Sequence, residues 1–300
     1  MTTLDRLPPG SRVAILRLRS LGDCVLSTPA IQLLKQHRPD LRLAVVVEER
    51  FAAVYRGNLQ IELVYSTDLR ALRKFAPDLV LNLHGGTRSA RLAAFSGAPL
   101  RAGFDIFKPS WIYNIAIPTA QQTLGITRRV HTAEHAASAM FALGVPIAEV
   151  PRATMPAPAG RIVEGAYAVI HPFAALPEKT WPVSSFIRVA EYLRNRGLEP
   201  VFIGGPGDDL TPFREWRTFS NAPLEDIARL MRDADLFVGN DSGPAHIAAA
   251  FGRPTVVLFG PSDAEIWSPW RTVNRVLQAN PIGSITVEQV QQAIEGVLGQ

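Results

Sequence analysis

Short runs of apolar and β-branched residues alternate with helix-like segments along this chain of 300 residues, and this alternation limits the fold more than any other feature. Runs that are bounded by turn signals and lack a polar face are typical of strands buried on both sides of a parallel sheet. The runs are VAILRL at 13–18, LAVVVE at 43–48, ELVYS at 62–66, DLVLNLH at 78–84, AYAVIH at 166–171, PVFIGG at 200–205, DLFVGN at 235–240 and PTVVLFG at 254–260. Their alternation with helices predicts an α/β fold with doubly wound sheets.

Helix-like segments lie between these runs, and one segment without periodicity interrupts the order. The predicted helices are PAIQLLKQH, EERFAAVYRGN, TDLRALRKF, TRSARLAAFSG, TAEHAASAMFALG, VSSFIRVAEYLRNRG, LEDIARLMRDA, PAHIAAAFG and VEQVQQAIEGVL. The interruption, VPRATMPAPAGRIVEG at 150–165, carries Pro and Gly and is typical of a linker. We therefore predict two Rossmann-like domains, residues 1–155 and 156–300, that face a central cleft.

The composition narrows the class of protein. Hydrophobic residues make up 47% of the chain and charged residues 19%, so sizeable cores can form. A single cysteine, Cys24, excludes an internal disulfide framework and a Cys-rich metal site. The N-terminus has no apolar segment of signal-peptide length, and no run approaches the roughly 18 apolar residues of a membrane span. We expect a cytoplasmic protein.

The charge pattern bears on the partners. A net charge of +4 favours anionic partners such as phosphorylated substrates or anionic lipid. Arg88, Arg91, Arg101 and Lys108 are the nearest thing to a basic cluster, although an ordinary solvated surface also explains most of these charges. No basic stripe carries the interleaved aromatic residues of single-strand binders, so we expect no nucleic-acid partner.

The stretch GNDSGPAHIAAAFG at 239–252 is the first candidate site, because ligands of open parallel sheets bind beyond the carboxyl ends of the strands. The pattern predicts a strand up to Asn240 and then a helix with Pro244 at its first position. The free N–H groups of that helix would suit a phosphate. Asp241 could accept hydrogen bonds from sugar hydroxyls, and His246 could donate one to a phosphate. The alternative is that Asp241 or Ser242 caps the helix and His246 packs.

The stretch LRSLGDCVLSTPAIQLL at 18–34 is the second candidate. Thr28 as N-cap and Pro29 at the first helical position would start the main helix late, which leaves Asp23 in a connecting loop or an initial short turn. The alternative is that Asp23 caps a helix. The spacing matches neither the dinucleotide fingerprint nor the P-loop.

Two more strand ends carry polar residues. In HPFAALPEKTWP at 171–182, Lys179 could neutralise a diphosphate or could simply be solvated. In FIGGPGDD at 202–209, Asp208 could reach a ribose or could belong to a plain turn. The DxD sequence of Asp233 and Asp235 precedes a strand, at the wrong end of the sheet for a metal-dependent transferase, so we interpret it as structural.

Taken together, these motifs resemble those of the lipopolysaccharide heptosyltransferase family, glycosyltransferase family 9, which has the two-domain GT-B architecture. The resemblance covers nearly the whole chain. The motifs are RSLGD at 19–23, TPA at 28–30, VVVEERFA at 45–52, RAGFD at 101–105, EKTWP at 178–182, IGGPGD at 203–208 and GNDSGPAHIAAAFGRPTVVLFGPSD at 239–263.

The resemblance implies inverting transfer of a heptose from ADP-heptose to a hydroxyl of a lipopolysaccharide core or lipid A-linked acceptor, without a cofactor or a required metal. It implies that Asp23 is the general base. The implied donor-binding residues are Lys179, Asp208, Asp241, Ser242, Gly243 and His246, and those on the acceptor side are Arg19, Arg88 and Arg101. Peripheral contact with the inner face of the inner membrane is also compatible with such an acceptor.

Two alternatives stay open. The chain could be a family 9 transferase with another nucleotide sugar or another acceptor, such as a protein or a capsule. The loop after His171 supports this option, because it reads Pro-Phe-Ala-Ala where relatives often place Ser, Thr or Gly near the phosphates. The chain could also be a binding protein without catalysis, although such a protein has no need of a base at Asp23.

Overall fold

The computed structural model describes residues 1–65 and 68–299, and these form two compact units. The first unit is Met1–Pro156 and the second begins at Ala157. The division lies within the segment 150–165 that lacks periodicity. No helix in the described part of the chain is both long and apolar enough to span a bilayer.

The first unit is a six-stranded parallel sheet covered by helices. Its strands are β1 (Arg12–Leu16), β2 (Arg42–Val47), β3 (Ile61–Tyr65), β4 (Leu79–Asn82), β5 (Leu100–Phe104) and β6 (Ile115–Ile117). Its helices are α1 (Leu21–His37), α2 (Leu69–Phe75), α3 (Gly86–Phe95), α4 (Ala120–Leu124) and α5 (Thr132–Leu143), with 3₁₀ turns at Leu4–Arg6, Glu49–Val54 and Ser110–Ile112. The strand order is β3-β2-β1-β4-β5-β6.

The second unit contains another six-stranded parallel sheet. Its strands are β7 (Tyr167–His171), β8 (Glu199–Gly204), β9 (Arg217–Ser220), β10 (Leu236–Asn240), β11 (Thr255–Phe259) and β12 (Asn274–Gln278). Its helices are α6 (Val183–Asn195), α7 (Leu224–Asp233), α8 (Gly243–Ala250), α9 (Ala264–Trp267) and α10 (Val287–Leu298), with 3₁₀ turns at Pro177–Lys179, Thr211–Phe213 and Ile282–Ser284. The strand order is β12-β11-β10-β7-β8-β9.

Both sheets have the same topology. In each unit the first strand lies beside the fourth, so the order reverses between β1 and β4 and again between β7 and β10. The chain leaves the two neighbouring strands toward opposite faces of the sheet, which opens a crevice at their carboxyl ends. These two positions are where a ligand site is expected in each unit.

The central strands are buried on both faces, as their apolar runs predicted. Val45, Val46 and Val47 of β2 are 0% exposed, and so are Leu236, Phe237 and Val238 of β10. The core of the second unit also contains Trp181, whose ring packs edge-on against Phe186 at a centroid distance of 5.1 Å. The two hydrophobic cores fix the sheets that carry the strand ends.

The start of α1 differs from the prediction. The helix begins at Leu21, with Ser20 as the N-cap residue, and Pro29 lies inside it. Proline at this position leaves the Val25 carbonyl without its helical N–H donor. The Thr28 hydroxyl donates to that carbonyl at 2.8 Å, which compensates for the missing bond. Thr28 is therefore not an N-cap, and Asp23 lies in the first turn of the helix rather than in a loop.

Smaller differences concern irregular segments. Residues 48–58, expected as a helix, contain only the 3₁₀ turn Glu49–Val54, and four strands, β5, β6, β9 and β12, were not predicted. Pro244 is the second residue of α8, after Gly243. Two predicted elements extend over residues 66 and 67, at the end of ELVYS and the start of TDLRALRKF, and these positions lie outside the described residues.

Candidate active site

Asp23 lies at the carboxyl edge of the first sheet, in the first turn of α1 directly after β1. Its Oδ2 accepts hydrogen bonds from the Ser20 backbone N–H at 3.2 Å and from the Ser20 hydroxyl at 3.1 Å. These bonds form the reciprocal contact of a capping box, in which the third helical residue binds back to the N-cap residue. The side chain stays 22% exposed, so a capping role and access for a ligand are both possible at Asp23.

A buried cation contacts the other oxygen of this carboxylate. The Nη1 of Arg17, which follows β1, donates to Oδ1 of Asp23 at 3.3 Å. Two histidines lie within electrostatic range, His84 after β4 and His135 in α5. Burial, with a further contribution from the Arg17 charge, lowers the pKa of His84 below its ordinary value and that of His135 to about 4. Both imidazoles are therefore neutral at neutral pH.

The second site lies at the carboxyl ends of β7 and β10, where the order of the second sheet reverses. His171, the last residue of β7, approaches Ser242, the N-cap residue of α8, with 2.9 Å between Nδ1 and Oγ. Burial lowers the pKa of His171 to about 4, so this ring is also neutral. The neutral pair lies against the first turn of α8, where Pro244 has no N–H and the Ala245 N–H donates to the Ser242 carbonyl at 3.2 Å. Gly243 therefore carries the helical backbone donor nearest the edge of the sheet.

The loop after β7 brings Lys179 to the same edge. Its Nζ lies 3.3 Å from Oδ2 of Asp241, and the two side chains are 28% and 10% exposed. The loop is held because the backbone N–H of Trp181 donates to Oδ1 of Asn240 at 3.1 Å. Gly260 lets the loop approach β11, since a Cβ there would lie 2.5 Å from the Glu178 carbonyl oxygen. The site thus places a cation and a carboxylate beside a helix N-terminus.

The other predicted donor-binding residues differ in accessibility. Asp208 follows β8, is partly buried, and accepts a hydrogen bond from the Gly205 N–H at 2.7 Å, which closes its turn. Gly243 is the partly exposed first residue of α8. His246 lies in the first turn of α8 as predicted, but its side chain is only 3% exposed. Direct contact between His246 and a phosphate would require the surrounding residues to move.

The three arginines predicted on the acceptor side lie in different surroundings. Arg19 is exposed, just before α1. Arg88, in the first turn of α3, forms an ion pair with Glu48 at 3.2 Å. Arg101 lies at the start of β5, away from the carboxyl edge, and its guanidinium donates to the carbonyls of Ile112 and Ala98 at 2.8 Å. Through these bonds Arg101 holds the chain at Ala98 and at Ile112 in place. We therefore do not assign Arg101 to the acceptor.

The DxD sequence is structural in the folded protein. Asp235 accepts a hydrogen bond from the Tyr167 N–H at 3.0 Å, at the amino ends of β7 and β10, and Asp233 pairs with the neighbouring Arg232. Among residues 1–65 and 68–299, no group of three or more His, Cys, Asp or Glu side chains is arranged to hold a metal ion.

Sequence reasoning missed the partners that hold the candidate residues in place. Arg17 is a charge within the otherwise apolar run VAILRL, and Ser20 precedes Asp23 at capping-box spacing, so both had a signal in the sequence. His171 and Asn240 are polar residues at the ends of buried strands, a pattern that can be recognised in the sequence. No pattern in the sequence marks His135, because it is one residue of an ordinary amphipathic helix.

Known proteins resemble this chain in sequence. The sequence model of glycosyltransferase family 9 (heptosyltransferase) matches residues 68–293, more than half of the chain. Asp23 and its motif precede the matched range. Lipopolysaccharide heptosyltransferase 3 of Escherichia coli is 27% identical over 298 residues, and the match covers 84% of each chain.

Solved structures share the fold. A glycosyltransferase of family 9 from Veillonella parvula superposes with a TM-score of 0.84 at 23% identity, covering 96% of this chain and 97% of that one. The ADP-heptose lipopolysaccharide heptosyltransferase II of Escherichia coli superposes with a TM-score of 0.82 at 19% identity, covering 96% and 99%. These similarities confirm the predicted fold class of two doubly wound α/β domains of GT-B type. The family match confirms the resemblance found in the motifs: the chain belongs to glycosyltransferase family 9 (heptosyltransferase).

Proposed function

We propose that this chain transfers a heptose from ADP-heptose to a hydroxyl of a lipopolysaccharide core, with inversion at the anomeric carbon, in the cytoplasm. The family and the names of the similar proteins support the sugar, the nucleotide and the acceptor class. The observation that carries the proposal is the carboxylate of Asp23, which stays partly exposed at the reversal point of the first sheet although it also caps α1.

Asp23 would act as the general base. In a single displacement, the acceptor oxygen forms a bond to the anomeric carbon while the bond from that carbon to the β-phosphate oxygen breaks. The hydroxyl proton passes to Asp23, and the electron pair of the breaking bond leaves with ADP. The bonds from Ser20 and Arg17 would hold the carboxylate while the acceptor approaches.

The second unit would bind the donor. The backbone N–H of Gly243 at the start of α8 and the ammonium of Lys179 would stabilise the negative charge that develops on the diphosphate. Asp241 would accept hydrogen bonds from the donor sugar, and Asp208 from the ribose. Ser242 and Gly243 lie at the start of α8 and would be nearest the phosphates. The buried His246 would support this turn without touching the phosphates.

We further propose that the reaction needs no metal, because Lys179 and the backbone N–H of Gly243 would supply the charge stabilisation that a divalent cation gives in metal-dependent enzymes. Addition of a chelator to the purified enzyme should leave its rate unchanged. Loss of activity that is restored by a divalent cation would contradict this part of the proposal.

Replacement of the base tests the proposed reaction. Asp23→Asn keeps the size of the side chain and can still accept the capping bonds, but it cannot take the proton. We expect turnover to fall by roughly 10²–10⁴-fold, the usual effect of losing a general base. The free energy of unfolding should change by about 1 kcal/mol or less, and the donor Kd should hardly change. Product would be followed by mass spectrometry with ADP-heptose and a heptose-free core acceptor.

Asp40→Asn is the matched control. Asp40 lies in the same unit, between the end of α1 and the start of β2, and pairs with Arg38 at 2.8 Å. Asp23 lies at the other end of α1, so loss of the Asp40 charge should affect stability and leave turnover intact. Normal turnover of Asp23→Asn would show that Asp23 only caps α1. If wild-type protein binds the donor but no acceptor gains mass, a screen of other nucleotide sugars and acceptors would separate the remaining family 9 activities from simple binding.

We also propose that the first unit contacts the inner membrane, where a lipid A-linked acceptor would lie. The support is an exposed loop at residues 105–111, in which Trp111 and Ile106 are 79% and 61% exposed. Lys108 is exposed between them, and Phe95 of the adjacent helix α3 is 56% exposed. Exposed aromatic, aliphatic and basic side chains in one loop suit the interface of an anionic bilayer.

A further inference from the structure

Arg17 is a buried cation at a position where an apolar residue would fit. Its neighbours Leu16 and Leu18 are 0% and 1% exposed, and Arg17 itself is 5% exposed. Its backbone N–H donates to the carbonyl of Val46, so the residue continues the sheet pairing of β1. Burial of a guanidinium is costly unless its donors and its charge are matched, so the reason for Arg17 must lie in what its side chain contacts.

The contacts of Arg17 differ from those of arginines that stabilise the fold. Arg38 donates to three backbone carbonyls and to both oxygens of Asp40, and Arg101 donates to two backbone carbonyls. The side chain of Arg17 holds no backbone segment. Within the described part of the chain it donates to one group, Oδ1 of Asp23, and its buried Nε has no hydrogen-bond partner.

The carboxylate of Asp23 is thereby held from two sides. Ser20 binds Oδ2 through two donors, and Arg17 binds Oδ1. The torsion angle χ2 of an aspartate varies widely, so the carboxylate plane can rotate. Bonds to both carboxylate oxygens restrict this rotation more than the two bonds from Ser20 to one oxygen do. The neighbouring His84 and His135 are neutral at neutral pH and do not replace the positive charge of Arg17.

We infer that Arg17 is a positioning residue, which acts on the reaction by holding the Asp23 carboxylate in the orientation that accepts the acceptor proton. The inference rests on the proposed role of Asp23 as the base. Arg17 does not itself contact the substrates in this scheme. Its effect on the rate must therefore pass through Asp23, and it must vanish when Asp23 can no longer act as a base.

A double-mutant cycle tests this dependence. Arg17→Met removes the charge at similar volume, and we expect it to lower kcat by about 10- to 100-fold, the scale of a misplaced catalytic group, while the donor KM stays unchanged. Arg17→Lys keeps a charge that can reach one oxygen and should lose less. In the Asp23→Asn background, each Arg17 substitution should change kcat by about twofold or less, because the two residues act as a unit.

The controls separate the possible failures. Arg38→Met, in the same unit, should lower Tm and leave kcat within about twofold, since Arg38 supports only the fold. An equal fold-loss from Arg17→Met in both backgrounds would overturn the inference, because Arg17 would then act independently of Asp23. If Arg17→Met does not fold, the cycle with Arg17→Lys makes the same comparison. Normal turnover of Asp23→Asn alone would instead overturn the assignment of the base.

Discussion

The ammonium of Lys179 lies 3.3 Å from a carboxylate oxygen of Asp241, and both side chains are partly buried. Without this cation, Asp241 would be a largely desolvated negative charge beside the site proposed for a diphosphate. Lys179 neutralises Asp241 in the folded protein, and under the proposed function it would also face the β-phosphate of a bound donor.

Lys179→Ala should therefore weaken ADP binding more than AMP binding. A hydrogen bond to a charged group contributes about 1.5–3 kcal/mol, so we expect the Kd for ADP to rise at least about tenfold. The Kd for AMP, which lacks the β-phosphate, should change much less. Calorimetric titration of both nucleotides measures the difference, with Lys74→Ala at an exposed position of α2 as the control. An equal loss for ADP and AMP would place Lys179 away from the β-phosphate.

At the scale of elements, the loop from β7 to α6 is positioned by neighbouring strands rather than by its own structure. The Asn240 side chain binds it at the end of β10, and the indole Nε1 of Trp181 donates to the Ile285 carbonyl at 2.9 Å. On the side of β11, the absence of a side chain at Gly260 makes room for the Glu178 carbonyl. The position of Lys179 therefore depends on residues far from it in sequence.

Gly260→Ala tests this dependence. The new Cβ would lie 2.5 Å from the Glu178 carbonyl oxygen, so the turn that carries Lys179 must shift. We expect weaker ADP binding with little change in AMP binding, the same pattern as Lys179→Ala, in a protein that keeps its circular dichroism spectrum. Gly283→Ala is the control, because the nearest atom to its Cβ, on Pro182 of the same loop, is 4.0 Å away. Unchanged ADP binding in Gly260→Ala would mean that the turn is not fixed by β11.

Helix α1 shows what could and could not be predicted from the sequence. The pattern predicted a helix over PAIQLLKQH, residues 29–37, with Pro29 at its start because proline is favoured there. In the structure the helix begins earlier, at Leu21, and the hydroxyl of Thr28 compensates for Pro29 in the interior. The central strands were predictable from their apolar runs. Strands β9 and β12 were not, because β9 is mostly exposed and β12 is only partly buried, so neither has a continuous apolar pattern.

The candidate residues could be predicted in part, again from the pattern at the buried strands. Asp23, Lys179, Asp208 and Asp241 could be named because polar residues after buried strands are visible in the sequence. The pairing of Lys179 with Asp241, and of His171 with Ser242, depends on residues more than sixty positions apart that meet only when β7 and β10 become neighbours. Arg101 was assigned to the acceptor side from the family resemblance, which does not show that this residue lies at the start of β5, away from the carboxyl edge.

At the scale of the whole molecule, the proposed membrane contact can be measured directly. Wild-type protein should co-sediment with vesicles that contain an anionic phospholipid, less so at high salt, because basic residues contribute to the attraction. Replacing both Trp111 and Ile106 by Ser should reduce the bound fraction several-fold without lowering turnover of a water-soluble acceptor. Leu59→Ser, at a fully exposed position of the same unit, is the control. Equal binding of the double variant and wild type would contradict the proposal, and concentration-dependent dimerisation lost in the double variant would identify the surface as a self-association site.

The division of the chain into two units, each with its own sheet, has a consequence for how such an enzyme can diversify. The residues proposed for the chemical step and those proposed for recognising the nucleotide sugar lie in separate halves of the gene, each with its own core. Random mutagenesis confined to the codons after 156 can therefore sample new donors without altering the base or the residues that orient it. Under the same proposal, a library confined to the first half would sample new acceptors and leave the residues that bind the activated sugar unchanged.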